Sequence, residues 1–136
     1  MEMFRELKPT LIIELTEPNV NAYLLRHLDE FAIPEGFEDP RVTFSNGYAE
    51  ASARTKVLFV ATRVKVQMKP QIVNGFLSLP VTKARAGVIP LPSAFVKDIA
   101  KTITTVINQT LEQNSMQLTR VEIVPGRVRG TAVVRP

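Results

Sequence analysis

The sequence contains no cysteine, no tryptophan and a single histidine, His27. The first absence removes disulfides, thiolate nucleophiles and every cysteine-based zinc or iron–sulfur site. One histidine builds neither a histidine metal cluster nor a nucleophilic triad. Aromatic residues make up only 7%, few for a sheet that stacks nucleobases. No run approaches the ~18 consecutive apolar residues of a membrane-spanning helix. The opening lacks the basic start and apolar middle of a secretory signal. Met1-Glu-Met-Phe-Arg-Glu-Leu7 reads as an added start as readily as a natural one, so residues 1–9 are expected to be a lead-in or linker. An anchor or signal further upstream is compatible with that.

What is present is ordinary for a folded chain: 136 residues, 45% hydrophobic and 22% charged, which predicts one domain over residues 1–136. Acid is unevenly placed. Residues 1–50 hold 10 acids and 4 bases, whereas residues 51–136 hold 3 acids and 13 bases. Such asymmetry is expected either for an anionic partner of the second part or for two parts that neutralise each other across one surface.

Hydropathy patterning predicts an α+β fold. Leu11–Leu15 reads as a strand, Thr16 as the N-cap of an amphipathic helix running to about Phe31, and Pro34-Glu-Gly36 as its stop. His27, beside Arg26 on that helix, reads as a surface residue rather than a ligand. The period then falls to two. Asn46-Gly47 predicts a hairpin between strands 42–44 and 48–55. Lys56–Met68 reads as one unusually long strand, and Asn74-Gly75 as a second hairpin leading into Phe76–Ala84. Thirteen strand residues would span about 43 Å, more than the roughly 37 Å diameter of a compact chain this size, so that strand is expected to bend and the molecule to be elongated. After Pro90-Leu-Pro92, Ser93 is a candidate N-cap for the clearest helix, Ser93–Asn114, with Phe95, Val96, Ile99, Ile103, Val106, Ile107 and Leu111 on one side. Pro125-Gly126 turns a final hairpin between strands 117–124 and 127–134.

No motif places a nucleophile beside a base, and the acid pairs Asp29-Glu30 and Glu38-Asp39 sit in or beside loops, so the sequence predicts no enzyme and no cofactor. Single-stranded nucleic acid could meet the basic strands, but these hold only Phe59 and Phe76 as stacking aromatics. A long amphipathic helix laid along a long curved sheet would instead enclose a tubular apolar interior, filled by side chains or open to an acyl chain. Its expected lining is Leu58, Val60, Val64, Val66 and Met68 on the strand and Phe95, Ile99, Ile103, Val106 and Ile107 on the helix. Outward bases Lys65, Lys83 and Arg85 are the candidates for an anionic headgroup.

The order of elements resembles the LmeA family of bacterial phospholipid-binding proteins, in the tubular lipid-binding (TULIP) superfamily. The likeness runs from about Thr10 to Val134. It rests on a Glu…Asn-x-x-Leu opening (Glu17, Asn21, Leu24) and on polar–Gly turns (Asn46-Gly47, Asn74-Gly75). It also rests on the lead Ile89-Pro-Leu-Pro92 into Phe95 and Val96, and on a last hairpin with Val121, Ile123, Gly126, Val128, Gly130 and Thr131. Pro125-Gly126 departs from the family's acidic–Gly turn. The resemblance implies a long, highly curved antiparallel sheet wrapped around the long helix, with the shorter N-terminal helix at one end. It further implies non-catalytic binding of phospholipid or another apolar ligand, with an anionic membrane surface as a partner; nucleic acid is disfavoured by the scarcity of aromatics on the basic strands. The extracytoplasmic face of a bacterial envelope follows if an anchor or signal lies upstream, the cytoplasm otherwise. The alternatives are a nucleic-acid-binding sheet and a scaffold domain with a filled core.

Overall fold

The computed structural model describes residues 10–31, 35–57, 59–85 and 93–136, with backbone alone at 57, 82–85 and 93. The β-branched run Thr10–Thr16 forms strand β1 and passes directly into helix α1, Glu17–Arg26. Thr16 keeps an extended backbone while its hydroxyl accepts the Asn19 N–H at 3.4 Å, and Pro18 sits in the first turn where no N–H is needed. The helix stops earlier than the predicted Phe31. The N–H of His27 is shared between the carbonyls of Tyr23 and Leu24, and the chain tightens into a 3₁₀ turn at Leu28–Glu30. Asp29 and Glu30 there oppose the negative end of the helix dipole, which disfavours further turns.

Strands β2 (Glu38–Phe44), β3 (Ala49–Val57), β4 (Val60–Met68) and β7 (Val81–Arg85) make one antiparallel sheet in the order β2-β3-β4-β7. Strands β5 (Gln71–Val73) and β6 (Phe76–Ser78) pair as a small ribbon. Helix α2 (Ser93–Gln113) follows, then β8 (Met116–Val124) and β9 (Arg127–Val134), which form the third sheet in the order β1-β9-β8. The fold is α+β, and none of the three sheets closes into a barrel. The turns at Asn46-Gly47, Asn74-Gly75 and Pro125-Gly126 fall where expected, each glycine at positive φ. Proline divides the rest: Pro70 parts β4 from β5 and Pro80 parts β6 from β7, because neither can donate to a ladder.

The expected long strand from Lys56 to Met68 does not exist. The chain reverses after Val57, and β3 folds back on β4 with Val57 opposite Val60, Lys56 opposite Ala61 and Ala53 opposite Val64. Phe59, in the turn, takes a left-handed backbone (φ 68°) without being glycine. The buried residues betray the reversal. The buried apolar ones are odd-numbered on β3 (Ala49, Ala51, Ala53) and even-numbered on β4 (Val64, Val66, Met68), a switch that one regular strand cannot make.

Buried side chains from β1, α1, β2, β3, β4, β6, α2, β8 and β9 form one apolar cluster. Helix α2 contributes Phe95, Ile99, Ile103, Ile107 and Leu111, a ridge at steps of four, together with Val96. It lies mainly on β6, β8 and β1 rather than facing the predicted strand 56–68. The tips of the large sheets meet directly. The Gly126 N–H bonds the Phe44 carbonyl (3.1 Å), the Gly47 N–H bonds the Ile123 carbonyl (2.8 Å), and the Glu17 N–H bonds the Gly126 carbonyl (2.9 Å).

Two turn glycines should respond differently to substitution. A Cβ on Gly75 would stand 2.8 Å from the Cβ of Gln117, at a turn whose carbonyl also receives the Leu118 N–H. At Gly47 a Cβ meets nothing within 4 Å. Gly47→Ala should therefore cost only the left-handed penalty, about 1 kcal/mol. Gly75→Ala should cost about 2 kcal/mol or more, because the clash adds to it. Urea unfolding of both variants checks this, and equal losses would contradict it.

Candidate functional site

The Glu…Asn-x-x-Leu residues turn out to guard an edge strand. The carboxylate Oε1 of Glu17 accepts the Phe44 N–H at 2.8 Å. The Asn21 amide brackets Val42: its Oδ1 accepts the Val42 N–H at 2.7 Å and its Nδ2 donates to the Val42 carbonyl at 2.8 Å. Leu24, one turn on, is buried in the core. Helix α2 repeats the device on β6, where Asn108 accepts from the Leu77 N–H (2.8 Å) and donates to the Leu77 carbonyl (3.0 Å). In each case a side-chain amide imitates a neighbouring strand, satisfying backbone groups that the sheet leaves unpaired.

Part of the charge asymmetry is paired inside the molecule. Arg63 bonds Asp39 at 2.5 Å and Ser52 at 2.8 Å, and Arg41 also reaches Asp39 (3.3 Å). Arg54 pairs with Glu38 at 3.5 Å and Lys65 with Glu50 at 3.9 Å, while Arg129 and Arg127 share Glu14 at 2.9 and 3.7 Å. Acids of the first part thus meet bases of the second across the sheets. Five bases of the second part are occupied in this way. The acid pair Glu38-Asp39 is held by arginines, and His27 stacks on Tyr23 with ring centroids 4.1 Å apart. Among the described residues no group of three His, Asp or Glu side chains could hold a metal ion.

The expected lining residues scatter. Val64, Val66, Met68, Phe95, Ile99, Ile103 and Ile107 are all buried in the cluster. The surface of Ile103 and Ile107 is 0% exposed, so no water-sized space adjoins either side chain. Val60 is not among them: it is 64% exposed, because the far end of the β3–β4 hairpin runs beyond the core. Val106 is also turned out, at 43%. Steps of four residues rotate the ridge about 40° each time, which leaves Val106 roughly 80° to one side. Leu58 lies outside the described residues, as do the side chains of Lys83 and Arg85 and the candidate cap of Ser93. Backbone register sets Lys65 opposite Arg85 and Gln67 opposite Lys83, so the three bases belong to one face of the sheet.

Two surface features escaped the sequence reading. One is an open groove of about 460 Å³ between the α1 end and α2, lined by the apolar side chains of Tyr23, Phe31 and Val106 and by the charged Glu30, Asp98 and Lys101. The other is the tip of the β3–β4 hairpin, where Phe59 is 99% exposed. Compared with family models, with curated proteins and with solved structures, the chain matches none.

Proposed function

We propose that the protein binds a phospholipid or similar amphiphile without catalysing its conversion, as a TULIP-type domain similar to the LmeA family. On this reading the strands curve as one surface around α2. The partners are a lipid and an anionic membrane surface, and no cofactor is needed. The setting is the outer face of a bacterial envelope if a segment upstream delivers the chain there.

One observation carries the reading. The flank of the α2 ridge leaves Val106, with Tyr23 and Phe31, as apolar surface open to solvent in a groove of about 460 Å³. That volume suits a small-molecule site, and a chain laid along these side chains would cover carbon that is now hydrated. Lys101 in the lining suits a phosphate, and Glu30 suits a headgroup amine. The buried ridge beneath, Ile99 to Ile107, is the wall that an acyl chain would reach if α2 shifted.

Protein extracted gently from cells should carry lipid by native mass spectrometry, and should exchange it with vesicles. Absence of both lipid and exchange would refute the reading. Binding of a single-stranded oligonucleotide at physiological salt, with indifference to vesicles, would replace it with the nucleic-acid reading.

A further inference from the structure

We infer that the tip of the β3–β4 hairpin is a membrane-docking finger, inserting Phe59 into the interface of an anionic bilayer with Lys56 at headgroup level. The last rung of the hairpin with buried residues is Ala53 opposite Val64. Four further rungs extend beyond it, ending at Val57 opposite Val60; the first two are braced by Glu38, Asp39 and the Gly36 carbonyl, and the last two carry the turn. At ~3.4 Å per residue the tip stands about 13 Å beyond the last buried rung, with about half of that length past the bracing chain. That is enough to cross the 5–10 Å by which interfacial segments sink into a bilayer, a depth that is itself about the reach of an interfacial helix.

The chemistry of the tip fits that occupant. Val57-Leu58-Phe59-Val60 is four apolar residues in a row at a position where turns ordinarily use Asn-Gly. Phe59 holds a left-handed backbone (φ 68°) and is 99% exposed. The fold therefore accepts a strained phenylalanine that makes no buried contact within it, and Val60 beside it is exposed as well. Lys56, opposite Ala61, is exposed and has no carboxylate partner among the described residues. The sequence has no Asp or Glu from residue 51 to residue 97. The acids near the hairpin are spoken for: from β2, Glu38 is on Arg54 and Asp39 on Arg63, and Glu50, at the base of β3 itself, is on Lys65. Glu35 adjoins Gly36, whose carbonyl takes the Thr55 hydroxyl lower on the hairpin. An apolar point with an uncompensated cation behind it, and no acid of its own, is complementary to anionic lipid. A protein groove would satisfy the phenylalanine but leave the adjoining charge without a reason.

This inference rests on the lipid reading but has its own readout, because the chain lacks tryptophan. Phe59→Trp places a lone fluorophore at the tip. With phosphatidylcholine vesicles containing phosphatidylglycerol, its emission should move to the blue, and the shift should shrink as salt rises. Vesicles of phosphatidylcholine alone should give little shift. Lys56→Ser should weaken vesicle binding about fivefold, and Phe59→Ser by more than tenfold. Lys97→Ser, which removes one base from exposed α2 surface, should change it least. Unchanged circular dichroism would verify that the exposed substitutions leave the fold intact. Vesicle binding without an emission shift would overturn the finger while leaving lipid binding standing. A blue shift that grows with protein concentration in the absence of vesicles would overturn it in favour of self-association. Lipid carried and exchanged, but no vesicle docking by any variant, would also overturn the finger alone. Failure of both lipid carriage and docking would overturn both readings.

Discussion

Truncating Ile103 to alanine is expected to cost about 3–5 kcal/mol, the upper part of the range for isoleucine deletions in a packed core. Ile103 sits at the middle of α2, one turn from Ile99 and one turn from Ile107, and has no exposed surface. The helix is fixed along its length against β6, β8 and β1, so its backbone has little room to move into the space left by three lost carbons. Ile103→Asn should be worse, because an amide with no partner in the apolar cluster adds about 1–3 kcal/mol of desolvation. Val106→Ala, three residues on but half exposed, should cost under about 1 kcal/mol. Urea unfolding of the three variants, with unchanged slope, would confirm this order. The same series bears on lipid uptake. A small loss at Ile103 accompanied by loss of lipid exchange would mean that the side chain lines a channel rather than a filled core.

The hairpins at Asn46-Gly47 and Asn74-Gly75 were legible in the sequence because their turns need left-handed residues, supplied by Gly47 in the first and by Asn74 and Gly75 in the second. The β3–β4 reversal was not, because Leu58-Phe59 carries no such signal. Apolar alternation alone could not separate a bent strand from two short ones. The cue that remained was the change from odd to even buried positions between Ala53 and Val64. Val106 was misplaced for a different reason: helical spacing finds an apolar side, but the slow rotation of a ridge at steps of four decides which member falls off it. Neither Asn21 nor Asn108 could be assigned its bond in advance. A side-chain amide pairs with backbone only where a strand ends a sheet, and strand order is a property of the tertiary fold. The charge asymmetry was visible, but whether it was spent internally depended on which acids the sheet brought opposite which bases. The docking tip had a visible composition, Lys56 to Val60, and lacked only the reversal that makes it a tip.

The asparagine clasps give the second large effect. Asn108→Leu keeps nearly the same shape but leaves the N–H and carbonyl of Leu77 without partners, beside a side chain that is itself buried. With two backbone groups exposed to partial desolvation, the expected loss is about 2–4 kcal/mol. Asn21→Leu should cost a similar amount through Val42, which is as deeply buried. The two sites share no partner, so the double variant should show the sum within about 0.5 kcal/mol. Asn108→Asp is the informative intermediate: its carboxylate still accepts the Leu77 N–H but nothing donates to the carbonyl, so it should fall between wild type and leucine. The effect should also be local. Hydrogen exchange at the Leu77 amide should speed up in Asn108→Leu, and at Val42 in Asn21→Leu, while amides in the centre of α2 stay protected relative to global unfolding. Both β2 and β6 lie at the edge of their sheets, and an edge without its bracket offers backbone groups to another chain. Sedimentation should therefore detect concentration-dependent association in the leucine variants and none in the parent. Losses below about 0.5 kcal/mol with normal exchange would mean that water replaces the amides freely, and that the clasps merely decorate edges already solvated.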